Sequence, residues 1–311
     1  MTAPPVPIEI PAPEAAPSQV LSALRQSLAF TRTWLGLVIV GVLVLVALIG
    51  PLLAPYSPTE FIRAPFSPPA AGALFGTDNL GRDVWTRFLF GGRTVLGLSL
   101  GATALGVISG VIIGLLAAYT RRWVDEVLMR GMDVLLAFPQ IVFVLLLVST
   151  VGPRLWLIVV TVGLTHMPRV ARVVRGASLE IVNREYIQAA EAIGEPRRRI
   201  LFAEILPNIT SPLLVELGLR LTYSIGLIAS VSFLGFGLQP PAADWGLMIN
   251  ENRVGVSLQP WTVALPVTAI ALLTVGTNLV TDGISRALIG VGRRVRRGEG
   301  ERQRAGGRGS E

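Results

Sequence analysis

The side chains that most often carry enzyme chemistry are scarce in this sequence. It has no Cys and a single His, His166, which excludes disulfides, thiolate metal sites and a cluster of His ligands. All 27 basic residues are Arg, and a phosphate-binding loop of the type G-x-x-x-x-G-K-[ST] requires Lys. We therefore expect no catalytic residue, metal or cofactor in this chain. If ATP drives the protein, another subunit must hydrolyse it.

Two charged residues, Glu216 and Arg220, interrupt a long apolar stretch. Their spacing places both on one face of a helix, where they can pair with each other. Charges inside a membrane span are costly, and they usually face a partner or a water-filled cavity. Two interpretations therefore stay open: a mutual ion pair, or a lining of a translocation path.

The composition predicts an all-α, polytopic membrane protein. The chain has 311 residues, of which 51% are hydrophobic and 15% charged, and several apolar runs are long enough to cross a bilayer. We predict six spans, at residues 34–54, 94–118, 134–151, 155–167, 209–235 and 262–280. The organisation would be a disordered tail (1–33), a first span with its outer loop (34–92), a core (93–290) and a disordered basic tail (291–311).

Short helices are expected between the spans. Asp83 can cap a short helix over residues 84–89, and residues 119–133 form an amphipathic pattern typical of a surface helix. Pro139 predicts a kink or a delayed start in the third span. Five glycines along the second span, Gly97, Gly101, Gly106, Gly110 and Gly114, predict close packing against another helix.

A helical hairpin is predicted over residues 185–208, between the fourth and fifth spans. Residues 185–193 are rich in helix-forming side chains, and Gly194 can end that helix in a left-handed conformation. Pro196 suits the first turn of a second helix, which we expect to end near Pro207. Hereafter "the hairpin" means residues 185–208.

The distribution of Arg predicts the topology. Six spans place both termini, the 119–133 segment and the hairpin on one side, and most of the 27 arginines fall on that side. The positive-inside rule then places both termini and the hairpin in the cytoplasm. This distribution also explains the net charge of +7 without any nucleic-acid partner.

The hairpin resembles the "EAA" loop of ABC importer membrane subunits. The resemblance rests on Gln188-Ala189-Ala190, then Gly194, then Leu206-Pro207. Gln188 replaces the Glu of the motif's name, and Glu204 stands where an aliphatic residue is usual. In that family the loop forms a coupling helix that docks on the ATPase. The resemblance assigns this role to Glu185, Tyr186, Gln188, Ala189, Ala190, Gly194, Arg197, Leu206 and Pro207.

A second motif resembles the dipeptide, oligopeptide and nickel branch of these permeases. The pattern Gly-Thr-Asp-x-x-Gly-Arg-Asp occupies Gly76, Thr77, Asp78, Gly81, Arg82 and Asp83. The segments 232–241 and 244–248 also resemble that branch. The resemblance implies a type I ABC importer permease fold in a bacterial inner membrane. It further implies a second homologous permease, two ATPase subunits that hold ATP and Mg, an extracytoplasmic solute-binding protein and surrounding lipid.

Three functions remain open at this point. The first is an ABC importer permease that carries peptides or a related small solute by alternating access. The second is a stand-alone secondary transporter driven by an ion gradient, although no internal repeat of the kind common in such proteins is evident. The third is a membrane scaffold that moves nothing. The sequence does not distinguish dipeptides, oligopeptides, nickel or other solutes.

Overall fold

The computed structural model describes residue 25, residues 27–28, 30–120 and 122–288 with their side chains, and the backbone of the last helix to residue 307. The predicted disorder of the tails 1–33 and 291–311 falls almost wholly outside the residues whose side chains are described. Only the end of the first tail is included, and there the first helix begins at Thr31, three residues earlier than the predicted span.

The described residues form helices, with only isolated β-bridges between residues 61 and 83. In chain order the helices of eight or more residues are α1 (Thr31–Leu53), α2 (Val84–Tyr119), α3 (Arg122–Ala137), α4 (Gln140–Val151), α5 (Leu155–Val182), α6 (Glu185–Ala192), α7 (Thr210–Phe233), α8 (Trp245–Asn252) and α9 (Trp261–Gly307). Five of them, α1, α2, α5, α7 and α9, are long and apolar enough to cross a membrane. The bent pair α3–α4 makes a sixth crossing if it is counted as one span.

The third predicted span differs from the expectation of a helix that starts at residue 134. The amphipathic helix α3 continues to Ala137, and α4 starts after Pro139 at an angle of 83° to it. Pro139 thus marks the break that its fixed φ and missing N–H predict. Asp125 of α3 accepts two hydrogen bonds from the Arg175 guanidinium, at 2.5 and 2.6 Å, so α3 is tied to α5.

Three helices are longer than predicted. The capped helix expected at residues 84–89 is the first part of α2, without a break before the span. Helix α5 runs through the buried Pro168 to Val182 and not to residue 167, because its later apolar residues pack against α2. Helix α9 does not end with the predicted sixth span at residue 280 but continues past Gly283, which lies against Thr33 of α1.

The stripe of small residues on α2 packs within the subunit. An added Cβ at Gly106 would lie 2.7 Å from the Gly163 carbonyl oxygen of α5, and one at Gly114 would lie 2.6 Å from the Ala171 oxygen. Helices α2 and α5 therefore approach backbone to backbone along this stripe, as small residues allow in membranes. Gly97 is different, because nothing lies within 4 Å of its added Cβ.

Candidate functional site

The hairpin turns at a glycine whose geometry the sequence predicts. Gly194 has φ +83°, in the left-handed region that favours glycine. The Glu195 N–H donates to the Ala190 oxygen and the Gly194 N–H to the Glu191 oxygen, both at 3.0 Å. These two hydrogen bonds form a Schellman motif, which satisfies the carbonyls at the end of α6. Nothing lies within 4 Å of an added Cβ at Gly194, so this turn faces open space.

The second arm of the hairpin is less regular than predicted. It consists of an α-helical turn (Arg197–Arg199), a π-helix (Ile200–Ile205) and a final α-helical turn (Leu206–Asn208). Pro207 lies at the start of this last turn and not at the end of a helix. Proline lacks a backbone N–H donor. The backbone hydrogen bonds change from π-helical to α-helical spacing at Leu206, one residue before Pro207.

An apolar base fixes the hairpin to the membrane helices. Ile187, Ile200, Ile205 and Ile209 are at most 2% exposed, and they pack with residues of α2 and α5 near the cytoplasmic ends predicted for these helices. The structure divides the assigned docking residues between the open side of the hairpin and this base, against which Tyr186, Ala190 and Leu206 pack. Glu185, Gln188, Ala189, Gly194 and Arg197 are exposed, while Tyr186, Ala190, Leu206 and Pro207 are half-buried.

Two apolar side chains on the open side of the hairpin were not predicted. Ile193 is 79% exposed and Phe202 is 55% exposed, next to the charged residues named above. The exposure of Ile193 could have been predicted from the sequence. It is six residues from the buried Ile187, and residues six apart do not lie on the same face of a helix. Glu204, the departure from the family pattern, is half-buried at the edge of this surface.

The Gly76–Asp83 motif forms a compact turn on the opposite side of the molecule. Gly76 and Gly81 have φ +71° and +75°. An added Cβ at Gly81 would lie 2.0 Å from the Arg63 oxygen, so no other residue fits there without movement. Thr77 Oγ1 donates to the Ala64 oxygen at 2.8 Å. Asp83 accepts from the Thr86 N–H at 2.8 Å, which confirms that it caps a helix.

A buried cluster of four charges joins this motif to α8. Asp78 Oδ2 accepts from Arg82 Nε at 2.7 Å and from Arg87 Nη1 at 2.8 Å. Glu251 Oε2 of α8 pairs with Arg82 Nη2 at 3.1 Å and with Arg87 Nη2 at 2.8 Å. All four side chains are at most 8% exposed. The Asn79 N–H also donates to Asn252 Oδ1 at 2.9 Å.

The motif residues are therefore structural parts of a larger unit. We call residues 61–83 together with α8 "the outer cap". Sequence reasoning missed Glu251 and Asn252, because these residues meet the motif across more than 150 positions of the chain. It also missed Arg87, which is only nine positions from Asp78, because the motif pattern ends at Asp83. Trp residues in outer loops commonly anchor at the membrane interface, but Trp245 is fully buried and its indole N–H donates to the Phe88 oxygen at 2.9 Å.

Glu216 and Arg220 lie together inside α7. Arg220 Nε is 3.0 Å from Glu216 Oε2, and both side chains are largely buried. The Arg220 guanidinium also lies over the Tyr223 ring, 5.2 Å from its centroid, a distance at which cation and ring attract. This geometry agrees with the first interpretation of these two residues, a mutual ion pair. The second interpretation, that they line a translocation path, stays a proposal.

A second polar link crosses three helices close to this pair. Ser224 Oγ of α7 lies 2.9 Å from Thr103 Oγ1 of α2 and 2.9 Å from His166 Nε2 of α5. His166 therefore has a hydrogen-bonding role. No group of three or more His, Cys, Asp or Glu side chains within the described residues is placed to hold a metal ion.

Sequence comparison identifies a family. Residues 110–294 match the profile described as "binding-protein-dependent transport system inner membrane component", and residues 31–69 match the "N-terminal TM domain of oligopeptide transport permease C". The dipeptide transport system permease protein DppC of Alkalihalophilus pseudofirmus is 35% identical over 81% of this chain and 84% of its own. The di/tripeptide transport system permease protein DppC of Pseudomonas aeruginosa is 34% identical, over 89% and 95% respectively.

The fold is also that of a solved importer. A structure of the inward-facing MetNI methionine ABC transporter covers 66% of this chain and 96% of its own, with a TM-score of 0.52 and 19% identity. This likeness supports the type I permease fold. The profile match covers more than half of the chain, and the DppC relatives extend over most of it. The chain belongs to the binding-protein-dependent transport system inner membrane components, and it is a membrane-spanning permease subunit of an ABC importer.

Proposed function

We propose that this permease carries peptides across the inner membrane and couples that movement to ATP hydrolysis through its hairpin. Two relatives that match over at least four fifths of the chain are a dipeptide and a di/tripeptide permease. A further relative, the glutathione transport system permease protein GsiD of Pectobacterium atrosepticum, is 38% identical over 71% of this chain and 73% of its own. Glutathione is itself a tripeptide, so peptide cargo is the simplest common substrate class.

One observation carries the coupling proposal. The hairpin has a buried apolar base on α2 and α5 and an opposite surface that none of the residues described with their side chains covers. That open surface contains five of the residues that resemble the family's coupling helix, Glu185, Gln188, Ala189, Gly194 and Arg197, with the Gly194 turn at its tip. A partner that pushes on this surface would act directly on two membrane helices, because the base is packed against both.

The proposed machine contains other subunits. This chain has no Lys for a phosphate-binding loop, so two ATPase subunits would hold ATP and Mg. A second homologous permease would complete the path, and an extracytoplasmic binding protein would deliver the solute, in keeping with the family's description. The excess of Arg on one side supports a cytoplasmic position for the hairpin and both termini.

The Glu216–Arg220 pair is proposed to border the translocation path. Both side chains are buried within a membrane helix, yet Nη1 of Arg220 has no hydrogen-bond partner among the described residues, while Nε faces Glu216. An ion pair with spare donors suits a position where water or a polar solute passes. Replacement of Glu216 by Gln would leave Arg220 without its counter-charge and is expected to reduce transport.

Reconstitution tests the proposed function. The complex would be placed in liposomes with its binding protein, and ATP hydrolysis and uptake of a labelled dipeptide would be measured together. We expect the binding protein to stimulate hydrolysis, and uptake to require ATP. Uptake that persists without any ATPase would support the secondary transporter, which the comparisons do not favour. Hydrolysis that the loaded binding protein never stimulates would favour a scaffold.

A further inference from the structure

The outer cap is held together by charges that balance. Asp78 and Glu251 supply two carboxylates, and Arg82 and Arg87 supply two guanidinium groups. Burial raises the pKa of Glu251 to about 7, so the charges balance when this carboxyl group is ionised. Each carboxylate contacts both arginines, so the four groups form a closed ring of pairs. Because the side chains are almost fully buried, separating them would leave charges without partners in a poorly solvated site, which is strongly unfavourable.

The cap is also fixed to the outer ends of two membrane helices. Trp245 of α8 rests on α2, where an added Cβ at Gly92 would lie 2.7 Å from its ring. Gly246 of α8 rests on α7, where an added Cβ would lie 2.7 Å from the Ala229 oxygen. The Asn250 side chain donates to the Phe233 oxygen at the end of α7. Helix α8 therefore connects α2, α7 and the motif.

The last membrane helix is tied to the same unit. Gln259, just before α9, donates to the Ser67 oxygen at 2.8 Å. An added Cβ at Gly76 would lie 2.0 Å from Gln259 Nε2, so the motif is shaped around this side chain. Phe75 of the outer cap contacts the Trp261 ring edge-on, with ring centroids 5.5 Å apart.

We propose that Arg87 and Glu251 are positioning residues that make the outer cap and the outer ends of α2, α7 and α9 a single rigid block. In this proposal the cap does not open as a gate during transport. The movement that exposes the path to the outside occurs where this block meets other parts of the complex. The proposal gives the Gly76–Asp83 motif a mechanical role that neither the sequence nor the relatives' names assign.

Distance measurements test the rigid block. The chain has no Cys, so Cys pairs for spin labels can be introduced without removing native thiols. Leu80 in the motif, Val254 after α8 and Leu234 after α7 are 55%, 89% and 44% exposed, and labels there would not disturb the core. The pairs Leu80–Val254 and Leu80–Leu234 report whether the motif moves relative to α8 and α7.

The measurement compares the nucleotide-free complex with the complex trapped by ATP and vanadate. We expect both distance distributions to be unchanged, and inhibition of ATP hydrolysis shows that the trap has formed. A shift of either distance on trapping would overturn the proposal. Failure of the complex to hydrolyse ATP would contradict the proposed coupling instead, so the two outcomes are distinguishable.

Charge variants test the roles of the two positioning residues. Glu251→Met leaves two arginines against one carboxylate, and Arg does not release its proton to restore the balance. We expect a broader Leu80–Val254 distribution and less dipeptide taken up for each ATP hydrolysed. In the double variant Glu251→Met and Arg87→Met, the Asp78–Arg82 pair remains, so one negative and one positive charge are left and the cluster is again neutral. Buried ion pairs often tolerate such apolar replacement.

The double variant is the control for simple loss of structure. We expect it to recover a narrower distance distribution and a higher ratio of uptake to hydrolysis than the single variant. A single variant that behaves as wild type would overturn the proposal. So would a double variant that is no better than the single one.

Discussion

Single glycines determine how closely α2 and α5 approach. Gly106 has no room for a side chain, since an added Cβ would lie 2.7 Å from the Gly163 oxygen and 2.8 Å from His166 Cβ. Gly97 lies on the same helix with nothing within 4 Å of its added Cβ. These two positions form a matched pair, because the residue type and the helix are the same.

Gly106→Leu should destabilise the protein, whereas Gly97→Leu should not. Overpacking of this kind typically costs about 1–3 kcal/mol, and the Gly163 backbone and His166 Cβ of α5 leave little room for relaxation at Gly106. Thermal unfolding of the purified protein in detergent would measure both variants. Equal melting temperatures for the two would show that the tight α2–α5 contact is not a determinant of stability.

At the residue scale, local geometry was predictable and distant partners were not. The left-handed turn at Gly194 and the cap at Asp83 depend on neighbours within a few positions, and the structure confirms both. The pairing of Arg82 with Glu251 joins residues 169 positions apart. Such a contact depends on how α8 folds back over α2, which one sequence does not reveal.

At the scale of elements, the hairpin separates stability from partner binding. Ile187 is fully buried in the apolar base, whereas Ile193 on the same short segment is 79% exposed. The first side chain holds the hairpin on α2 and α5. The second contributes nothing to this packing and is free to contact a partner.

Alanine variants of these two isoleucines should have opposite effects. Ile187→Ala removes core packing and should lower the free energy of unfolding by about 2–5 kcal/mol. Ile193→Ala should leave the melting temperature unchanged and weaken ATPase binding, measured as the fraction of ATPase that co-purifies. The assignment of surfaces is wrong if Ile193→Ala melts early or if it binds the ATPase as well as wild type.

The positions of the spans were predictable, but their ends were not. Apolar content marks a membrane segment, yet a helix continues past the apolar run wherever it still has a surface to pack on. Thus α5 continues to Val182, because its apolar side beyond Pro168 contacts α2 and the hairpin. Pro139 breaks a helix where Pro168 does not, and the sequence alone treats these two residues alike.

At the scale of the whole molecule, six crossings would place the outer cap and the hairpin on opposite sides of the membrane. The absence of Cys makes this orientation measurable with single Cys variants. Ser257→Cys lies in the exposed loop after α8, and Ala192→Cys lies in the exposed end of α6. A membrane-impermeant maleimide added to intact spheroplasts should label the first and not the second.

Permeabilised spheroplasts provide the control, since both positions should then react. Labelling of Ala192→Cys in intact spheroplasts would reverse the proposed orientation. It would also place the hairpin where no cytoplasmic ATPase reaches it, which would contradict the coupling proposal.

The most direct test of the account is the recovery of an ATPase with this chain and its dependence on Gly194. Gly194→Trp adds a large side chain at the tip of the hairpin, where no atom of the described residues lies within 4 Å of an added Cβ. Gly152→Trp is the matched control, because that glycine also has a positive φ (+99°) and open space, but it lies in the turn between α4 and α5. Because the ψ of Gly152 is 157°, its conformation is one that residues other than glycine almost never adopt, so Gly152→Trp is a stringent control for the effect of backbone strain alone.

The chain would be tagged at its C-terminus, extracted gently from the native membrane and analysed for co-purifying subunits. We predict that an ATPase and a second permease accompany the wild type and Gly152→Trp. With Gly194→Trp the ATPase should be lost while the second permease remains. Undiminished recovery of the ATPase with Gly194→Trp, or equal loss with both variants, would contradict the claim that the hairpin is the docking surface.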